Sequence, residues 1–146
     1  NVTTGLIGTI QIKGAWNNSL VTATQVKTMH VGTSTGSKLL AAVSNEPVFP
    51  NTPSDFAAGG QISNFAVTSK SAGAFSNTVV AAGAIGTVSL GSVGVTNAAV
   101  QFGVAAQSIK SVTGSTSSGK FSKKNVSNTN PGTPLISDQD FVVLLV

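Results

Sequence analysis

The ionisable side chains of this 146-residue sequence are eight Lys, four carboxylates and one His, with no Cys, Tyr or Arg. The carboxylates are Glu46, Asp55, Asp138 and Asp140, so residues 56–137 carry none. Asp138-Gln-Asp140 sets two acids at the spacing that puts both on one face of a strand, which makes them weak candidates for Ca²⁺. Glu46 and Asp55 stand nine residues apart in a Pro-rich stretch. Polysaccharide hydrolases and lyases need clustered carboxylates, a metal held by them, or a positioned base, and these four acids are scattered. His30 has no Cys or carboxylate beside it and reads as a surface residue rather than a metal ligand.

Other chemical motifs are incomplete. Ser is abundant, but no Gly-x-Ser-x-Gly elbow occurs. Gly114-Ser-Thr-Ser-Ser-Gly-Lys120 follows a phosphate loop as far as its Lys, then places Phe121 where that loop needs a hydroxyl for Mg²⁺. A turn is the expected structure there. Trp16, the single Trp, is expected to pack over a corner, with sugar stacking as its alternative use. The expectation is therefore a protein that is not an enzyme, with no catalytic residue and no cofactor.

Net charge is +4 and the isoelectric point about 9.8. A nucleic-acid partner is not expected, because Arg supplies the forked phosphate and guanine contacts and is absent. Lys13, Lys27, Lys38, Lys70 and Lys110 are isolated, whereas Lys120, Lys123 and Lys124 cluster around Phe121. That cluster reads as a solvated turn, with an anionic glycan as the alternative contact. The chain is 40% hydrophobic with a mean hydropathy of +0.29, which excludes a charged disordered segment. Phe141–Val146 is among the longest apolar runs and falls far short of the ~20 residues of a membrane span. Lack of Cys suits an extracellular setting, and a start at Asn1 reads as a processed product.

The elements that carry these residues are set by an internal repeat. A slip of 19 residues lays Ile7, Thr9, Ile10 and Ile12 on Val26, Thr28, Met29 and Val31. Leu20–Gly32 falls without a gap on Val79–Gly91, and a further slip of 21 brings Val79 to Val100, Thr87 to Ser108 and Val88 to Ile109. A last slip of 21 reaches Phe121, preceded by Lys120 as Leu39 is preceded by Lys38. Starts near residues 1, 20, 39, 79, 100 and 121 give about six units of 19 to 21 residues. The third is interrupted by an insertion at about 43–59, expected to be a surface excursion whose deletion leaves the rest folded. Each unit reads as two short strands, with alternation such as Met29/Val31 around His30 in the second.

A period near 20 without helices predicts an all-β fold, a parallel β-helix (β-solenoid) in one domain spanning 1–146. The alternative is an antiparallel, pilin-like β-sandwich. The pattern of apolar pairs, Ala and Ile/Val-Gly-Thr-Ile/Val-x-Ile/Leu, best seen in Leu6–Gly14 and Ala84–Gly91, resembles repeat regions of bacterial cell-surface proteins with parallel β-helices. That resemblance implies a fold, and with it an extracellular, non-enzymatic structural role as a cell-surface or filament-forming subunit. The alternative function is a carbohydrate-binding or polysaccharide-cleaving β-helix. Assembly is expected through Val2 and Ile7 at one end and Phe141, Val142, Val143, Leu144, Leu145 and Val146 at the other, as a homo-oligomer or head-to-tail filament. Residues 135–146 then serve as a cap or an exchange strand, with cell-surface polysaccharide as a candidate partner.

Overall fold

A computed structural model describes residues 5–43, 49–127 and 132–146. Eleven strands follow in order: β1 (Leu6–Asn17), β2 (Leu20–Ala23), β3 (Gln25–Thr35), β4 (Lys38–Ala41), β5 (Gln61–Val67), β6 (Phe75–Ser76), β7 (Val79–Ser92), β8 (Phe102–Thr116), β9 (Gly119–Ser127), β10 (Pro134–Asp138) and β11 (Phe141–Leu145). A 3₁₀ turn, Pro53–Asp55, lies between β4 and β5. The β-branched and alternating segments are strands, as their composition dictates.

Two parallel ladders organise the chain. The first runs β1–β3–β5–β7–β8, and the second runs β2–β4–β7–β8–β11. β7 and β8 are long enough to pass through both, so the strands form one continuous sheet. A short third ladder aligns Trp16, Ser34, Phe75 and Val93. The result is an all-β, mostly parallel, open sheet, compatible with a β-solenoid. Among the described residues antiparallel pairing is confined to β9 on β8, β10 on β11 and an isolated Val43–Phe56 bridge, which does not fit the β-sandwich alternative.

The first half of the repeat register holds. Ile7, Thr9, Ile10 and Ile12 pair with Val26, Thr28, Met29 and Val31. Val21, Leu39 and Val80 form one column, and Met29, Phe65 and Val88 another. The second half needs correction. Val79 pairs with Gly103 and Val88 with Val112, an offset of 24 residues rather than 21. Thr87 accordingly meets Ser111, not Ser108. The unit expected from Phe121 onward is not a further parallel copy, because β9 turns back antiparallel along β8.

The two ladders bury their side chains differently. In the first, Val26, Met29 and Val31 of β3 point inward while Gln25, Lys27 and His30 face solvent or sit half-buried. The second is covered on both faces, as near-continuous apolar runs in parallel strands usually are. Leu39, Val80, Val104 and Val143 join the inner core, and Leu40, Ala81, Ala105, Val142 and Leu144 join a separate outer cluster. The insertion closes that outer cluster with Phe49 and Phe56, which are 6% and 8% exposed. Its described part is mostly exposed, as composition suggests, but is anchored by those two rings, which complete a core.

Aromatic rings run through the interior. Trp16, Phe65 and Phe75 follow at centroid distances of 6.4 and 6.2 Å, and Phe75 meets both Phe102 and Phe141. Phe121 stacks on Phe141 at 5.7 Å and extends the row to β9. Buried Ser34, Ser37 and Thr78 satisfy one another's corner: the Ser34 and Thr78 hydroxyls are 2.9 Å apart, and Ser37 Oγ donates to the Trp16 carbonyl at 3.0 Å. Such burial is tolerated because the hydroxyls are hydrogen-bonded. Gly103, at φ +134°, lies against the Val142 carbonyl where a Cβ would collide, so β8 and β11 approach closely only with glycine there.

Candidate functional site

The residues singled out for chemistry are separated by the fold. Asp138 ends β10 and Asp140 lies in the turn to β11, with Gln139 at φ +52° between them. Asp138 accepts hydrogen bonds from the hydroxyls of Thr116 and Ser118 in the β8–β9 turn. Asp140 instead receives the backbone N–H groups of Asn97 at 2.5 Å and Ala99 at 3.1 Å. Ala98 and Ala99 have positive φ, so the carboxylate braces a turn whose backbone curls around it. The two acids thus serve different turns rather than one cation, which corrects their expected placement on one strand face. Among the described residues no three His, Cys, Asp or Glu side chains group around a potential metal position.

This bracing carries a testable consequence. Asp140→Ala leaves two turn N–H groups without their charged acceptor, and the expected loss is about 1–3 kcal/mol in a urea titration. Asp140→Asn, which retains one carbonyl acceptor, is expected to lose less.

Asp55 receives the N–H groups of Asn51 and Thr52 at 3.0 and 2.9 Å, anchoring the start of the 3₁₀ turn. Glu46, its expected companion, lies outside the described residues. The Thr52 N–H holds the Asp55 carboxyl below its ordinary value of 3.8, and the Thr116 hydroxyl does the same for Asp138. Carboxyls whose folded values are depressed stabilise fully above the unfolded value and lose that contribution as pH falls through the folded one. Stability is therefore expected to hold from neutrality to about pH 5 and to decline below about pH 4, with a shallower acid decline in Asp55→Asn/Asp138→Asn. A decline already complete above pH 5 contradicts this assignment.

His30 pairs across the ladder with Gln11, and its Nε2 lies 3.3 Å from Asn64 Nδ2, on the outer polar side of the first ladder. Trp16 is 4% exposed and packs on Phe65, so it offers no stacking surface to a sugar. The Gly114–Lys120 stretch is the tight β8–β9 hairpin. Phe141–Val146 is buried throughout, with β11 paired between β8 and β10 of its own chain. These six residues cover the last unit. Ile7 is half-buried in β1, whereas Val2 lies outside the described residues.

The outward side of the first ladder is a continuous polar surface. Thr9, Thr28, Asn64, Thr87 and Ser111 line one row, and Gln11, His30, Ala66, Ser89 and Thr113 the next. Its strands β1, β3, β5, β7, β8 and β9 hold no carboxylate and six of the eight Lys. Two grooves flank this surface on β7–β9, one of about 440 Å³ beside Lys110 and one of about 320 Å³ between Lys70 and Lys120. Local sequence reading missed the second groove, since Lys70 and Lys120 are 50 residues apart and meet only through the ladder register. The one local signal was the long stretch without acids.

Comparison with family models, curated proteins and solved structures finds no match for this chain. Among the described residues no helix is long and apolar enough to cross a membrane.

Proposed function

We propose that this chain is a non-enzymatic structural unit of an extracellular surface, a parallel β-solenoid that joins a second copy of itself through the free edge of β1. The observation that carries this reading is the unequal treatment of the two ends. At one end the parallel ladders stop under two antiparallel strands. β9 brings Lys120, Lys123 and Lys124 to its edge, and β10 opens with Pro134; lysine and proline are both devices that discourage edge pairing. At the other end β1 presents 12 residues, with β3 as its ladder partner among the described residues. Leu6 is 57% exposed, and Ile7, Ile10 and Ile12 are only half-buried at the end of the inner columns. Among the described residues, Lys13 and the bulge between Ile12 and Ala15 interrupt that edge at one place, and Leu6–Ile12 carries neither charge nor proline.

Among the described residues, an edge with no second partner at one end and a blunted edge at the other favour a closed two-fold pair, β1 against β1, over a head-to-tail filament. What favours a structural role is that Asp55, Asp138 and Asp140 each support a separate turn. Sedimentation at rising concentration tests the proposal. Dimers at about 10–100 μM that vanish in Ile10→Lys/Ile12→Lys are expected, since like charges placed on an edge oppose pairing. A full-length protein that stays monomeric at about 1 mM removes the proposal, and so does growth of long filaments.

A further inference from the structure

We propose that the outer surface of β7–β8–β9 is a binding track for an acidic polysaccharide, seated at the Lys70–Lys120 groove and running along β9 toward Lys110. This inference is independent of pairing through β1. The groove is walled by Lys70 from the segment after β5 and Lys120 from the start of β9, with Ser89 and Ser115 beside them. Its floor is glycine. Gly91 sits at φ +63°, a conformation that favours glycine, while at Gly114 the inward-turned Phe121 ring fills the space that a Cβ would take. Bare backbone at Gly91, flanked by serine hydroxyls, lets ligand atoms approach between the two lysines.

The second groove, at the far end of the same three strands, offers Lys110, Gln61, Ser108 and Asn125. Between the grooves, Ser122 and Lys124 of β9 lie across from Thr113 and Ser111 of β8. Lys120 and Lys124 are four residues apart, about 13 Å along an extended strand, so the cations form a line rather than a point. A line of cations suits a polymer bearing repeated anions. Asp138 approaches the β8–β9 turn and stays ionised there, held by Thr116 and Ser118, so at the groove two ammonium groups stand against one carboxylate.

The chemistry of the track selects the polymer. Lys ammonium groups meet isolated carboxylates or sulfates as point charges, and Ser, Thr and carboxamide groups match sugar hydroxyls. Single-stranded nucleic acid calls for aromatic stacking platforms, and here Phe121 is turned inward onto Phe141 while Trp16 is buried. The shared ligand chemistry is an oxyanion carried on a sugar chain, either uronate or sulfate ester.

Affinity electrophoresis of the full chain through gels containing polygalacturonate, dextran sulfate or neutral dextran tests the proposal, with oligo-dT as a competing ligand. Retardation by at least one acidic polymer and none by dextran is expected. Lys70→Ser/Lys120→Ser should weaken that retardation about tenfold, Lys110→Ser about threefold, and Lys13→Ser not measurably. Lys70 and Lys120 are exposed, so the double variant is expected to fold, which circular dichroism checks. Should it not fold, the unaltered protein still decides: retardation should fall about fivefold or more between 50 and 300 mM NaCl. Equal retardation by dextran, insensitivity to salt, a folded double variant that binds as before, absence of binding to both acidic polymers, or tighter binding of oligo-dT would each overturn the proposal.

Discussion

Removing Phe141–Val146 is expected to unfold the protein rather than to release it from an oligomer. All six side chains are at most 6% exposed. Phe141, Val143 and Leu145 close the inner core, while Val142, Leu144 and Val146 complete the outer cluster under the insertion. β11 also supplies the parallel partner of β8 over Phe102–Ala106. Burying one large apolar side chain is worth about 1.5–3 kcal/mol, so six amount to roughly 10 kcal/mol or more. A domain of this size is stable by only about 5–15 kcal/mol in all. Loss of near-ultraviolet circular dichroism and of a cooperative urea transition is the expected result. Phe141→Ala isolates part of the effect: that ring meets Phe75, Phe102 and Phe121, and its loss should cost about 3–5 kcal/mol. A truncated protein that unfolds cooperatively near the full-length midpoint would show that β11 is dispensable.

How far the sequence reading reached depends on which residues the repeat brings into register. Ile7, Val26 and Ile85 are legible because no insertion breaks the alternation within their segments, and the pleat then forces inward and outward positions. The slip of 21 failed because β8 carries Ser108-Ile109 and Ser111-Val112, two polar–apolar pairs three residues apart. Either pair satisfies the pattern of Thr87-Val88, and only the longer connection before β8 decides that the second pair is used. With that register, Ala106 lies on Ala82 and Ser111 on Thr87, so the fifth unit is as regular as the fourth. The likeness of Lys120-Phe121 to Lys38-Leu39 was misleading for a different reason: a strand's local pattern is the same whichever way its partner runs. Of the candidate sites, the carboxylates were visible as residues but not as braces, since their partners at 97–99 and 116–118 lie far off in sequence.

The doublets Leu39-Leu40 and Val79-Val80 held a further message, that both faces of the second ladder are covered. Supplying that cover is the insertion, and Phe49→Ala/Phe56→Ala is expected to destabilise the protein by about 5–8 kcal/mol, somewhat less than twice the cost of one buried Phe. Without the two rings, Leu40, Ala81, Ala105 and Leu144 lose their common neighbour, while the inner core under Val80 and Val104 is untouched. Damage should therefore begin on the outer side of β4–β7–β8–β11. Hydrogen exchange should rise first at Leu40, Ala81 and Ala105, where each strand loses packing on one face, and only later in β3 and β5 of the first ladder. The same lesion distinguishes a covering segment from a surface excursion: an excursion tolerates loss of its apolar residues within about ±0.5 kcal/mol. A double variant whose urea midpoint matches that of the unaltered protein would return the insertion to the surface role that its proline-rich composition suggests.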